Sequence, residues 1–172
     1  MNSKELFARD TTVIKKSDNL FLTEVSENWS IGNTANGGYS MTLAAKAMSE
    51  FLDHKDPLSI SAHYLDRVDF GATELHVTHL STSKSLSTAR VEFVQNNKIK
   101  IIFIGTFTDF SYKNDMNIYE REVPSFPNYD KCEVIPYKEG FNPKLDKNIE
   151  KAYSQDSLWW KKNNESSSST LN

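Results

Sequence analysis

The chain has 172 residues, 38% of them hydrophobic and 12% aromatic, which is enough for one core of ordinary domain size. A formal net charge of −3 gives no electrostatic footprint for nucleic acid or an anionic membrane, and no window approaches ~18 consecutive apolar residues that would span a bilayer. Cys132 is the only cysteine, so an internal disulfide is excluded, and the opening MNSKELFARD lacks the apolar core of a signal peptide. A soluble cytoplasmic protein is the expectation.

Residues 5 to 30 read as an opening hairpin. Thr11 to Lys15 and Leu20 to Val25 are rich in β-formers and are separated by the turn cluster Lys16-Ser17-Asp18-Asn19. Trp29-Ser30-Ile31-Gly32-Asn33 leads into the most helical stretch, Asn36 to Leu52. Asn36 is a capping residue type, Gly37 and Gly38 follow, and Met41, Leu43, Ala44, Ala45, Ala47, Met48, Phe51 and Leu52 cover most of the helix surface. A helix this apolar is a buried one. The two glycines either make the turn into a core helix or let a ligand approach the free N–H groups at its N-terminus.

Four strands of about ten residues follow, by their alternation: Leu58 to Val68, Thr73 to Thr82, Leu86 to Gln95 and Ile99 to Phe110. Asn96-Asn97-Lys98 is a tight turn. Ile101 to Ile104 are consecutive apolar residues, which predicts a last strand covered on both faces. A buried helix wrapped by a curved antiparallel sheet is an α+β architecture, the hotdog fold, over residues 1–110. From Ser111 the pattern changes. Pro124, Pro127, Pro136 and Pro143 mark an extended linker over 111–145, with Phe126, Tyr129 and Tyr137 expected as docking anchors. Ile149 to Trp160 hints at a further strand or short helix, and the serine-rich end reads as a disordered tail.

Recognisable catalytic and cofactor motifs are absent from the sequence: it has no G-x-S-x-G elbow, P-loop or G-x-G-x-x-G. His76 and His79, three apart on a strand, point to opposite faces and cannot share a metal, so no metal or cofactor is expected. Asn36, His63 and Gln95 are each explicable as capping or sheet-face residues. Together they would line one groove near the helix N-terminus, with His63 as proton carrier and the others as polar positioners.

Trp29 with Asn36-Gly37-Gly38-Tyr39, then Leu58-Ser59-Ile60-Ser61-Ala62-His63-Tyr64-Leu65, then Ser85 to Val91 ending in Val94-Gln95-Asn96, resembles the N-terminal half of the TesB-like double-hotdog acyl-CoA thioesterases. The resemblance runs from Asn28 to Phe110. It implies the hotdog fold, an acyl-CoA ligand, and Asn36, Gly37, Gly38 and Tyr39 as part of the acyl pocket, with Gln95 nearby. It also implies that residues 146–172 begin a second hotdog, the half that supplies most of the family's catalytic groups. No carboxylate here takes over the general base, which leaves His63 or another chain. The readings that follow are a thioester hydrolase, or a non-catalytic acyl-CoA-binding or assembly hotdog; a hotdog dehydratase has weaker support. An uncovered sheet edge predicts a homodimer.

Overall fold

The computed structural model describes residues 2–112, 121–122 and 124–158. The chain opens with a helix where only a hairpin was expected. Helix α1 (Ser3–Asp10) starts in a capping box: the Asn2 side chain accepts from the Glu5 N–H, and the Glu5 carboxylate accepts from the Asn2 N–H. That Asn-x-x-Glu spacing is a helix-start signal in its own right. The hairpin follows it as β1 (Ile14–Lys15) and β2 (Leu20–Val25), with Ile14 opposite Leu22. A short 3-10 turn (Glu27–Trp29) and a small ladder of β3 (Ser30–Ile31) with β4 (Thr34–Ala35) then deliver the chain to α2 (Gly37–Phe51).

The long strands are β5 (Asp56–Tyr64), β6 (Gly71–Thr82), β7 (Ser87–Gln95) and β8 (Lys98–Thr108). With β1 and β2 they form one antiparallel sheet in the order β1-β2-β6-β7-β8-β5. The β7–β8 turn uses Asn96 and Asn97 at φ 51° and 58°, a left-handed pair that asparagine tolerates and that suits a two-residue hairpin. On β7 alternation is complete: Ser87, Ala89, Val91, Phe93 and Gln95 are buried, and their neighbours are half-buried.

Helix α2 lies on the inner face of this sheet, burying Leu43, Ala44, Ala47 and Met48 against Phe21, Leu75, Val91, Phe93 and Phe103. Close approach is possible because β8 carries Gly105: a Cβ there would stand 2.5 Å from the Met48 sulfur. Each fully buried Leu or Met of this face stabilises by roughly 1.5–3 kcal/mol. The helix is less enclosed than its composition predicts, however. Met41, Ala45 and Phe51 stay half-exposed, whereas Ser40 is buried and its hydroxyl donates to the Asn36 carbonyl.

Two strand expectations need correction. The last strand is covered on one face only: Ile101 and Phe103 are buried, but Ile104, on the outer face, is exposed. At Leu58 a bulge interrupts the predicted alternation, because Pro57 pairs with Phe107 and Ser59 with Thr106. Leu58 is left without a partner in the ladder, 57% exposed.

Past β8 the elements among the described residues are short: 3-10 turns at Tyr129–Lys131, Lys144–Lys147 and Gln155–Ser157, and a two-residue ladder of β9 (Glu133–Val134) with β10 (Ala152–Tyr153). Where a strand or short helix was expected over Ile149 to Trp160, the described residues hold the two-residue β10 and a 3-10 turn after it. This region is held to the first domain by Leu145 against the core, by Lys144 to Glu27 at 2.6 Å, and by the Asn148 amide donating to the Asn28 carbonyl. Phe126 and Tyr129 are exposed and do not anchor it. Trp159, Trp160 and the serine-rich end lie outside the described residues. No described helix is long and apolar enough to cross a membrane.

Candidate functional site

The first turn of α2 is shaped from both sides. Asn36 is extended (φ −61°, ψ 138°), and its side-chain oxygen accepts from the Gly38 and Tyr39 N–H groups at 2.9 and 3.1 Å. Its own N–H donates to the Trp29 carbonyl, which sets the angle at which the chain enters the helix. The cap therefore occupies two of the donors that a ligand would otherwise meet, and the Gly37 N–H is the first-turn donor that the Asn36 side chain does not take.

Neither glycine is required by backbone conformation, since the positive-φ glycines among the described residues are Gly32, Gly71 and Gly140. What matters at Gly37 and Gly38 is space. A Cβ on Gly37 would stand 2.7 Å from the Tyr64 hydroxyl and 3.0 Å from its ring, whereas a Cβ on Gly38 meets only the Asn36 oxygen, at 3.1 Å. Tyr64, the last residue of β5, lays its ring over the helix start and packs edge-on against Phe103.

Tyr39 points the other way. Its hydroxyl donates to the Asp10 carbonyl at 2.6 Å and accepts from the Ser26 N–H, and its ring stacks on Trp29. The Asp10 carboxylate takes the Asn28 amide at 2.8 Å, the Trp29 indole at 3.1 Å and the Arg9 guanidinium at 2.7 Å. Burial alone raises a carboxyl's pKa, but donation from Asn28 and Arg9, then Ser26 and Trp29, outweighs it and holds Asp10 below its ordinary 3.8. Asp10 was missed in the sequence because it terminates the helix that was missed. The Tyr39 side chain is therefore committed to the fold, and only its backbone belongs to the open side of the turn.

The remaining sequence candidates do not converge there. Gln95 is buried; its amide donates to the Asp69 carbonyl and the Thr73 hydroxyl, and its oxygen accepts from the Asp69 N–H. It pins the connection between β5 and β6, which in turn touches β4 through Val68, whose carbonyl accepts from Ala35 and Thr34. His63 pairs with Ile102, one residue out of phase with Tyr64 and the buried Ile101, so it stands exposed on the outer face of the sheet, away from α2. The single groove expected from Asn36, His63 and Gln95 does not form within one chain.

Carboxylates near the loop after β5 are neutralised. Asp66 meets the Lys98 ammonium at 2.8 Å, the Arg67 N–H at 2.8 Å and the Lys100 ammonium at 3.2 Å, which hold its carboxyl well below the usual range. Asp69 lies 3.6 Å from Lys100. Asp66, with its proton affinity lowered, is a poor general base. At the far end of α2, His54 Nδ1 lies 2.7 Å from the Ser87 hydroxyl, but Ser87 is wholly buried and cannot meet a substrate. A groove of about 830 Å³ is at the opposite sheet edge, lined by Arg9, Asp10, Thr23, Glu24 and Phe70. Its one buried carboxylate is already bonded to Arg9, Asn28 and Trp29. Among the described residues, no group of three or more His, Cys, Asp or Glu side chains is placed to hold a metal ion.

Comparison with known proteins agrees with this frame. Residues 25–108 match the family model described as acyl-CoA thioesterase N-terminal domain. A protein of Thermobifida fusca YX thought to be a thioesterase II superposes with a TM-score of 0.79 at 19% identity, over 95% of this chain and 60% of that one. The tesB protein of Mycobacterium avium subs paratuberculosis gives 0.64 at 18% identity, over 76% of this chain and 53% of that one. An acyl-CoA thioesterase II of Mycobacterium marinum gives 0.62 at 15%, over 76% and 52%. The chain thus spans a little over half the length of these relatives. Functionally curated proteins give no match to the sequence. Sheet, helix and matched residues coincide: the segment that matches the acyl-CoA thioesterase N-terminal domain model, residues 25–108, carries the hotdog fold.

Proposed function

We propose that this protein is the acyl-CoA-recognising hotdog half of a thioesterase, acting in the cytoplasm on fatty acyl-CoA thioesters, with the thioester placed at the first turn of α2. The observation that carries this reading is the Gly37-Gly38 turn inside the matched segment, where the Asn36 side chain leaves the Gly37 N–H untaken, Gly38 is exposed and only the Tyr64 ring lies over Gly37. In thioester hydrolysis a base takes a proton from water, the water oxygen adds to the carbonyl carbon, and the C–S bond then breaks to release CoA and the fatty acid. The oxyanion formed on the way needs aimed donors. The Gly37 N–H is suited to be one of them.

The base is the part this chain does not place beside α2. His63 faces away, and Asp66 and Asp69 are ion-paired. That specific observation favours the second reading, an acyl-CoA-binding hotdog that does not turn over by itself and is completed by a second hotdog surface. A homodimer would supply one, through the free edge of β5 and the exposed Leu58 and Leu65 along it. The cytoplasmic setting is supported by the lone Cys132 and by the ligand class.

The test is to measure equilibrium binding of octanoyl-CoA and release of free CoA thiol on the same preparation, with melting temperature as the control for folding. Saturable binding that Gly38→Val abolishes at unchanged melting temperature is the expected result, with CoA release near the uncatalysed rate. Rapid release that survives His63→Ala would place a base where the structure shows none.

A further inference from the structure

We infer that Tyr64 is a movable stopper that sets the length of acyl chain this domain accepts. The inference rests on the acyl-CoA reading and adds to it a specificity-determining side chain. Three observations meet at this residue. Its ring fills the space beside Gly37 so closely that even a methyl group there would collide with it. Behind the ring lie Phe103, in edge-on contact at a centroid distance of 6.4 Å, and then Phe93, so Tyr64 is the outermost member of an aromatic row that runs under α2. Unlike Phe103 and Phe93, which are wholly buried, Tyr64 is 55% exposed, and its hydroxyl has no hydrogen-bond partner among the described residues.

A side chain in that state turns about its χ1 bond without losing a polar partner. Met48, Leu43 and Phe103, which also border the helix–sheet interface, are packed on every side and have no comparable freedom. Turning Tyr64 outward uncovers one face of Phe103 and the Gly37 backbone, an apolar slot the size of the departed ring between α2 and β5. A short acyl group held at the first turn of α2 leaves most of the ring in place; a longer chain that runs on between α2 and β5 has to displace it. The glycine is matched to this motion, because a side chain at position 37 would fill the slot as the ring leaves it.

The test is calorimetric titration of the full chain with acetyl-, hexanoyl- and dodecanoyl-CoA, comparing wild type with Tyr64→Ala, Tyr64→Leu and Tyr64→Phe and recording each melting temperature. Removing the ring should raise affinity for dodecanoyl-CoA relative to hexanoyl-CoA by about tenfold or more, since each newly buried methylene is worth about fourfold. Tyr64→Leu, which keeps an apolar cover on Phe103, should move the ratio part of the way. Tyr64→Phe should keep the wild-type order, because the ring is what blocks. A dodecanoyl-to-hexanoyl ratio in Tyr64→Ala and Tyr64→Leu within about twofold of wild type overturns the stopper while leaving acyl-CoA binding intact. Absence of binding at every chain length, in wild type and variants with normal melting temperatures, overturns the acyl-CoA reading itself and the stopper with it.

Discussion

Two polar clusters hang on the first turn of α2, and they differ in how completely they are used. On one side Tyr39 reaches Asp10, whose carboxylate and carbonyl between them take Arg9, Asn28, Trp29 and Tyr39. On the other side the cap at Asn36 leaves the Gly37 N–H uncommitted by that side chain, with Tyr64 resting over it and Gly38 open. The first cluster fastens α1 and the Trp29 turn to the helix, and a ligand would have to break it to enter. The second is closed only by a half-exposed ring. Buried polar groups with every partner in place build the fold, and loosely covered backbone beside glycine is where a substrate can be received.

Substitution separates the two, beginning with the largest effect. Asp10→Ala leaves the Asn28 amide, the Trp29 indole and the Arg9 guanidinium without their acceptor, and it should lower unfolding free energy by about 3 kcal/mol in urea denaturation. The same residue gives a pH signature. Because its folded pKa lies below 3.8, its contribution is present above that value and is lost as pH falls through the folded pKa. Urea midpoints taken across the acid range should show a fall that Asp10→Asn reduces. An Asp10→Ala variant as stable as wild type would show that the cluster is not a fastening.

The glycine pair gives the smaller effects and sharpens the contrast. Gly37→Ala gains about 1 kcal/mol of helix propensity but must push the Tyr64 ring aside, so its melting temperature should change little while the ring's environment changes. Gly38→Ala meets only the Asn36 oxygen and should be neutral or slightly stabilising, by up to about 1 kcal/mol. The check is thermal unfolding followed by tyrosine ring shifts in NMR spectra. A Tyr64 ring that does not move in Gly37→Ala would contradict the close packing described here.

Much of the hotdog was legible in the sequence because its signals are local. The α2 boundaries follow from Asn36 and from apolar spacing, and β6, β7 and β8 follow from alternation closed by Asn96-Asn97. The α1 helix is also legible in Asn2-x-x-Glu5, although the β-rich run after it carries the stronger local signal, that of a hairpin. The site was less legible, because side-chain commitment is a tertiary property. Nothing local says that Tyr39 turns to Asp10, that Gln95 is consumed by Asp69 and Thr73, or that Lys98 and Lys100 neutralise Asp66. The position of His63 was readable in part, since strand period two already put it out of phase with Tyr64. Tyr64 itself gave no sign, because its role depends on a glycine 27 residues earlier in the chain.

The central claim is that ligand is received at the start of α2 and not in the groove beside Asp10. Backbone amide shifts of the labelled protein, titrated with a non-hydrolysable thioether analogue of octanoyl-CoA, test it most directly. Perturbations should concentrate at Gly37 to Thr42 and at Tyr64 and Leu65. Perturbations concentrated instead at Arg9, Asp10, Glu24 and Phe70 would contradict the account.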